Sequence, residues 1–296
     1  MVVMTSGRYS QAKMVRRKPL HRFPSDVVME WIHSIDDPRI AAYRNLPDRT
    51  LRGENIFIAE GKLAAVRLLE SSYPVESVLA AEPHAAEMAQ IVPDRTPLYV
   101  ASDELIQQIV GYPFHRGVLA LGRRPSQTPT WSSVLDSFSL TQPLRLVVLP
   151  SVNQAENLGL IFRSAAAFGI DALLLGPQTV DPLSRRAIRL SMGGVLHIRW
   201  ARSENFLHDV QQLGRRWQVL RAAAVVDSSA IPLQEFSWPP RAAVLLGHEF
   251  EGLPPDVQRL CDVRLTIPMH PPMDSLNVGV AAGIFLYCMS YPKQSR

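Results

Sequence analysis

RLVVLPSVNQAENLGLIFRSAAAFGIDALLLG, residues 145–176, opens and closes on short apolar runs with a helix-length segment between them. RLVVLP and DALLLG are too short for helices and lack the alternation of a half-wet strand. They read as parallel strands buried on both faces. Between them Leu158, Ile161, Phe162, Ala165 and Ala166 recur at helical spacing and make one apolar stripe. Similar short runs follow in WQVLRAAAV (217–225), AAVLLG (242–247) and VRLTIP (263–268), separated by helical segments such as LSRRAIRLSM and ENFLHDVQQLGRRW. This alternation predicts an α/β fold with a parallel sheet, whose ligand is expected at the carboxyl ends of the strands.

Upstream, candidate strands NIFIAE, SVLAAE, PLYVA and GVLALG alternate with the candidate helices KLAAVRLLESS and DELIQQIVG, the pattern of a smaller α/β domain. The Pro-, Ser- and Thr-rich stretch RRPSQTPTWSS reads as the start of a linker. The expected organisation is a flexible basic arm over residues 1–25, a small domain over 26–124, a linker over 125–143 and a second domain over 144–296.

The chain has 296 residues, 47% hydrophobic and 20% charged, enough to bury a sizeable core. Its formal charge of +4 is unevenly spread. Arg8, Lys13, Arg16, Arg17, Lys18 and Arg22 all precede the first acid, Asp26, and the acid-free window between Asp181 and Glu204 holds Arg185, Arg186, Arg189, Arg199 and Arg202. Two such windows suit a polyanionic partner. Cys261 and Cys288 form no C-x-x-C pair and have no His neighbours at metal spacing, which argues against a disulfide framework or a zinc site. No apolar run reaches the roughly 18–20 residues of a membrane span, and the first residues lack the apolar core of a signal peptide. A cytoplasmic protein with no membrane partner is expected.

Three stretches carry candidate chemistry. In NQAENLGLIFRSAAAFG, Asn157 is placed to cap the helix, and Arg163 is the only charge from Leu158 to Gly169, a natural phosphate anchor. In AAVLLGHEFEGLPPDV, a buried strand ends in Gly247, then Glu249 and Glu251 flank Phe250 before Gly252 and two prolines. This is not a P-loop, and no G-x-G-x-x-G occurs anywhere, which disfavours a nicotinamide or flavin site. In IPMHPPMDSLNVGVAAGIFLY (267–287), a stiff loop with Pro271 and Pro272 leads to Ser275 and Asn277, either of which can cap a final helix of small residues. Taken singly, each reads as a cap, a strand–turn–helix junction or a tightly packed helix.

Together, Asn-x-Gly-x-x-x-Arg (157–163), Gly-x-Glu-x-x-Gly-Leu (247–253) and Ile-Pro-Met…Ser-Leu-Asn-Val (267–278) resemble the three signature motifs of the SpoU (TrmH-like) branch of the SPOUT RNA methyltransferases. The resemblance covers residues 144–292. FIAEG (57–61) and HRGVLAL (115–121) sit where the family's L30e/L7Ae-like RNA-binding domain has similar sequences. The resemblance implies a deep trefoil knot whose loops bind S-adenosylmethionine, through the backbone around Leu246, Gly247, Ile267, Met269 and Leu276. It implies a homodimer and methyl transfer to a ribose 2′-OH in structured ribosomal or transfer RNA, without a metal. Arg163 would anchor or activate at the reacting ribose, with Asn157, Glu249, Ser275 and Asn277 holding the attack geometry. Arg185, Arg186 and Arg189 would bind the RNA. Pro271 and Pro272 replace the glycines common after Ile-Pro-Met and remove two N–H donors. They motivate the alternative of a non-catalytic RNA-binding or ribosome-assembly protein that retains the fold.

Overall fold

The structure, a computed structural model, describes residues 28–46, 55–248, 251–272 and 274–291; the expected basic arm and the candidate Glu249 lie outside the described residues. The N-terminal half comprises β1 (Met29–Trp31), β2 (Ile56–Glu60), α1 (Lys62–Leu69), β3 (Val75–Ala81), α2 (Glu82–Ala89), β4 (Leu98–Ala101), α3 (Asp103–Val110) and β5 (Val118–Arg123). Its strands form a mixed sheet in the order β1-β4-β3-β5-β2, with β5 antiparallel to both neighbours. All four strands expected from the sequence are present, each with a largely buried run.

The second half comprises α4 (Trp131–Leu135), β6 (Leu144–Leu149), α5 (Ala155–Phe168), β7 (Ala172–Leu175), α6 (Arg185–Leu190), β8 (Arg199–Arg202), α7 (Phe206–Arg215), β9 (Leu220–Ala224), β10 (Ile231–Pro232), β11 (Arg241–Leu245), α8 (Pro255–Arg259), β12 (Val263–Thr266) and α9 (Val278–Ser290). Seven strands lie in the order β10-β12-β9-β11-β6-β7-β8, and every pair is parallel. The continuously apolar strands follow from covering both faces. On β6, Leu146 and Val148 enter the layer beneath α4 and α7, while Val147 and Leu149 enter the layer beneath α5. Helix ends carry the expected punctuation. Ser102 caps α3 by accepting the Leu105 N–H at 3.2 Å, Ser184 caps α6 by accepting the Ala187 N–H at 3.3 Å, and α5 stops at Gly169 in the left-handed region.

One apolar cluster joins the two sheets: Phe57 and Ala59 of β2 share it with Leu158, Ile161 and Phe162 of α5. Polar contacts fix the orientation across that seam. Arg124 grips the Asp181 carboxylate with two hydrogen bonds, at 3.2 and 2.6 Å, and donates its Nε to the Ile56 carbonyl at 3.0 Å. The Trp200 indole donates to the Tyr73 hydroxyl at 3.1 Å.

The segment expected as a linker has structure of its own. Within it Thr130 caps α4, and Trp131, 1% exposed, lies edge-on to Phe206 and donates its indole N–H to the Leu175 carbonyl at 3.3 Å. Trp131→Ala is therefore expected to lower the stability of the chain by about 3–5 kcal/mol, read from the denaturant midpoint. A surface-linker substitution would move it by a few tenths of that.

Candidate active site

The turn that follows β11 is built by the absence of side chains. Leu246 continues the ladder, its N–H donating to the Val148 carbonyl at 3.0 Å, and the chain then doubles back so that His248 and Gly252 exchange two backbone hydrogen bonds at 3.0 Å each. A Cβ on Gly247 would lie 2.1 Å from the Gly252 carbonyl carbon, so only glycine fits there. Gly252 itself takes φ +67°. The His248 ring meets the Asn153 side chain at 3.0 Å, tying this turn to the loop before α5.

This turn and the loop after β12 enclose a cavity of about 500 Å³ at the carboxyl ends of β9, β11 and β12. Leu246, Gly247, Ile267, Met269 and Leu276, expected from the motif resemblance, all line it, as does Ser275. Phe285 and Ala281 of α9 supply apolar wall behind them. Pro271 and Pro272, joined by a cis peptide bond, are exposed and are not on the cavity wall.

Asn277 caps α9, its Oδ1 accepting the N–H groups of Gly279 at 2.9 Å and Val280 at 3.3 Å. Its amide Nδ2 donates to Asn157 Oδ1 at 2.8 Å. That corrects the expected role of Asn157: the α5 cap position falls at Gln154, which makes no side-chain cap bond, and Asn157 lies buried within the first turns of the helix. The first and third motifs are thus joined by one hydrogen bond. Arg163 stands on the exposed side of α5, off the cavity wall, with no hydrogen bond or ion pair among the described residues. Of the three arginines expected to meet RNA, Arg186 pairs with Glu156, while Arg185 and Arg189 approach the buried Glu60 at 3.5 and 3.4 Å.

Three charged wall residues, Asp227, Arg264 and Asp274, escaped the sequence reading. Asp227, beyond β9, accepts the Ser229 N–H at 2.7 Å and its hydroxyl at 2.8 Å and pairs with Arg264 of β12. The Ser229 hydrogen bonds, chiefly, and then the Arg264 guanidinium hold its carboxyl below the usual range, so it is an anion at neutral pH. A slot of mixed apolar and polar lining, with the carboxylates of Asp227, Glu251 and Asp274 among its walls, suits a purine nucleoside with a cationic tail, which is the composition of S-adenosylmethionine. Among the described residues no group of His, Cys, Asp or Glu could hold a metal ion, and Cys261 and Cys288 form no disulfide.

The sequence profile described as the SpoU rRNA Methylase family matches residues 145–287. An uncharacterized tRNA/rRNA methyltransferase of Mycobacterium bovis is 32% identical over 297 residues, spanning 96% of each chain. The 23S rRNA (guanosine-2′-O-)-methyltransferase RlmB of Acinetobacter baylyi is 31% identical over 63% of this chain and 75% of its own length. The fold matches an AdoMet-bound rRNA methyltransferase from Sinorhizobium meliloti with a TM-score of 0.73 at 24% identity, over 88% of this chain and 96% of that one.

Gly247→Ala is expected to abolish S-adenosylmethionine binding in a calorimetric titration, because the turn must open to admit the methyl group. Gly252→Ala, whose Cβ would meet nothing within 4 Å, should keep binding and cost only about 1–2 kcal/mol of stability for its left-handed backbone. Equal binding by both variants would separate the turn from the cofactor site.

Proposed function

The chain belongs to the SpoU rRNA methylase family, and from that premise we propose the following reading of its site. The protein is an S-adenosylmethionine-dependent RNA methyltransferase that methylates a ribose 2′-OH in structured ribosomal or transfer RNA. One observation carries this beyond family membership: residues from the second and third motifs line a single cavity, and the Asn277–Asn157 hydrogen bond ties the first motif to it.

A ribose hydroxyl is a poor nucleophile at neutral pH until its proton is taken up and its oxygen is aligned with the methyl group. The bound sulfonium supplies an activated methyl group and a neutral leaving group, so no metal is required. The chain's own residues supply alignment. Leu246, Gly247, Ile267, Met269 and Leu276 hold the cofactor, largely by main-chain groups around the glycine turn. Arg163, on the exposed side of α5, grips an RNA phosphate beside the target ribose; a guanidinium stays protonated, so anchoring is its role rather than free proton abstraction. Asn157, Ser275, Asn277 and Glu249 keep the arginine, ribose and phosphate in register, where an error of about 1 Å costs on the order of a hundredfold in rate. The prolines that would favour a non-catalytic RNA-binding protein stand off the cavity wall, which supports the enzyme.

The finer architecture follows the same reading. The loop from Ile267 to Leu276 threads the chain into a deep trefoil knot, a reading supported by the return of α9 from the β12 side of the sheet to pack on α5. Residues 26–124 form an L30e/L7Ae-like RNA-binding domain, joined through 125–143 to the methyltransferase domain at 144–296, with the basic arm at 1–25 adding charge toward RNA. The protein works as a homodimer in the cytoplasm. Val280, Ile284, Tyr287 and Tyr291 make an exposed apolar stripe along α9, 50%, 37%, 55% and 56% accessible, beside Leu160 of α5. A stripe of this kind favours covering by a second copy, and Arg163 lies one turn beyond Leu160, where a partner would complete its surroundings. No helix among the described residues is long and apolar enough to cross a membrane.

RNA from cells lacking the gene, incubated with the protein and labelled S-adenosylmethionine and digested to nucleosides, is expected to yield a new 2′-O-methylated nucleoside by mass spectrometry. Arg163→Ala should remove that product while leaving cofactor affinity within about twofold, since lost contacts away from the cavity do not weaken ground-state cofactor binding. Bound RNA without any transfer by the wild type would instead support the non-catalytic reading. Replacing Val280 and Tyr287 together by Asp should give a monomer in sedimentation and lose transfer; an unaltered sedimentation coefficient would refute dimerisation through α9.

A further inference from the structure

Glu60 closes β2 with its side chain 2% exposed, yet it stands among cations rather than apolar groups. Arg116, from the loop before β5, approaches it at 3.7 Å, while Arg185 and Arg189 of α6 approach from the other half at 3.5 and 3.4 Å. The Arg185 guanidinium also lies over the Tyr112 ring, 4.9 Å from its centroid. Glu60 Oε2 and Arg185 Nη1 meet only in a loose ion pair of 3.5 Å, with the Tyr112 hydroxyl beside both, and none of these three buried atoms is filled by a close hydrogen bond among the described residues. Buried polar groups are ordinarily hydrogen-bonded at close range, so guanidinium groups held this loosely keep N–H donors for a further acceptor.

We propose that this crevice between the two halves binds one backbone phosphate of the substrate RNA, with Arg116, Arg185 and Arg189 as its donors and Glu60 as the buried counter-charge that aligns them. The proposal rests on the RNA methyltransferase reading above.

Charge bookkeeping favours an anion. Three guanidinium groups face a single carboxylate, while Glu156 and Asp181 of the second half are engaged elsewhere, with Arg186 and Arg124. The excess of two positive charges matches a phosphodiester with capacity to spare, and planar guanidinium donors suit its oxygens. Burial pushes the Tyr112 hydroxyl up to about 12, so it remains a neutral O–H donor facing the same space. Without Glu60 the three cations would repel one another; with it they are held convergent while Arg116 keeps 56% of its side chain accessible.

The site also has a fixed relation to the transfer centre. α6 is seated on α5 where residue 159 has no side chain: a Cβ there would lie 2.7 Å from Leu190 Cβ. Arg163 follows one helical turn later on the same α5. A phosphate held by α6 and a phosphate held by Arg163 are therefore spaced by rigid helix packing. The crevice acts as a ruler that selects where along the RNA the reacting ribose falls.

The test uses the full chain, a 23S ribosomal RNA transcript, filter binding over a salt series and methyl transfer from labelled S-adenosylmethionine. Arg116→Met and Arg189→Met should each weaken RNA binding about tenfold, the worth of one charge-assisted contact, and lower the slope of log Kd against log salt by about one unit. The double variant should lower the slope no further, because both arginines meet the same phosphate. Cofactor affinity should not change, because neither arginine lines the cofactor cavity. Affinity and slope unaltered in the double variant overturn the proposal, and so does a slope that falls by a full unit for each arginine removed. Wild-type protein that binds RNA but transfers no methyl group sinks the enzyme reading while leaving the binding comparison readable. Glu60→Gln adds positive charge, yet alignment predicts a higher KM for RNA at unchanged kcat; a lower KM refutes the role given to the carboxylate.

Discussion

α5 is held by backbone-close contact on two sides, and the functional geometry depends on that grip. On one side α6 comes down at Gly159, and on the other α9 comes down at Gly279, where a Cβ would be 3.0 Å from Leu160 Cβ. Missing side chains are what allow such approaches. Through the first contact the basic face of α6 is fixed relative to Arg163. Through the second, the cap residue Asn277 is brought within hydrogen-bonding distance of Asn157. The cavity wall on α9, the apolar stripe on its outer side and the arginines of α6 are all placed by how closely neighbours can approach this one helix.

Much of this was legible in the sequence because it is encoded by continuous apolar runs and by residues with special backbones. The runs at 145–150, 171–176, 242–247 and 263–268 all became central parallel strands. The elements that escaped are short and marginal. β1 is three residues, MEW, and β10 is two, ending in proline, so neither spans enough chain to show a period. β8, RWAR, carries a charge at either end because it is an edge strand with only its middle buried. The buried Trp131 sat in a stretch whose Pro, Ser and Thr content reads as a linker, although a lone tryptophan behind a Thr cap was the available signal.

The site divides along similar lines. Gly247 and the loop after β12 were legible because glycine and proline constrain the chain locally, and a local constraint is written in adjacent letters. Asp227 and Arg264 were not, since they meet only because β9 and β12 are neighbours in the sheet. Asn157 stands out in the sequence, but as a helix cap, because asparagine before an apolar stripe favours that position. The fold instead spends its side chain on a contact 120 residues away. Glu60 was visible as the one charge inside FIAEG. Its meaning depended on three arginines drawn from two different halves.

The common core beneath the two sheets has an evolutionary consequence. Phe57 and Ala59 of the first half pack in the same cluster as Leu158 and Phe162 of the second, and Arg124 leaves the first sheet to grip Asp181 in the second. Exchanging the N-terminal half for a different module would therefore strip apolar cover from the very helix that carries Asn157 and Arg163. A newcomer would have to arrive with matching side chains on its underside, not merely with an affinity for RNA. The two halves are bound to diversify as a pair, with new RNA targets reached by changing surface charges and loops rather than by trading whole domains.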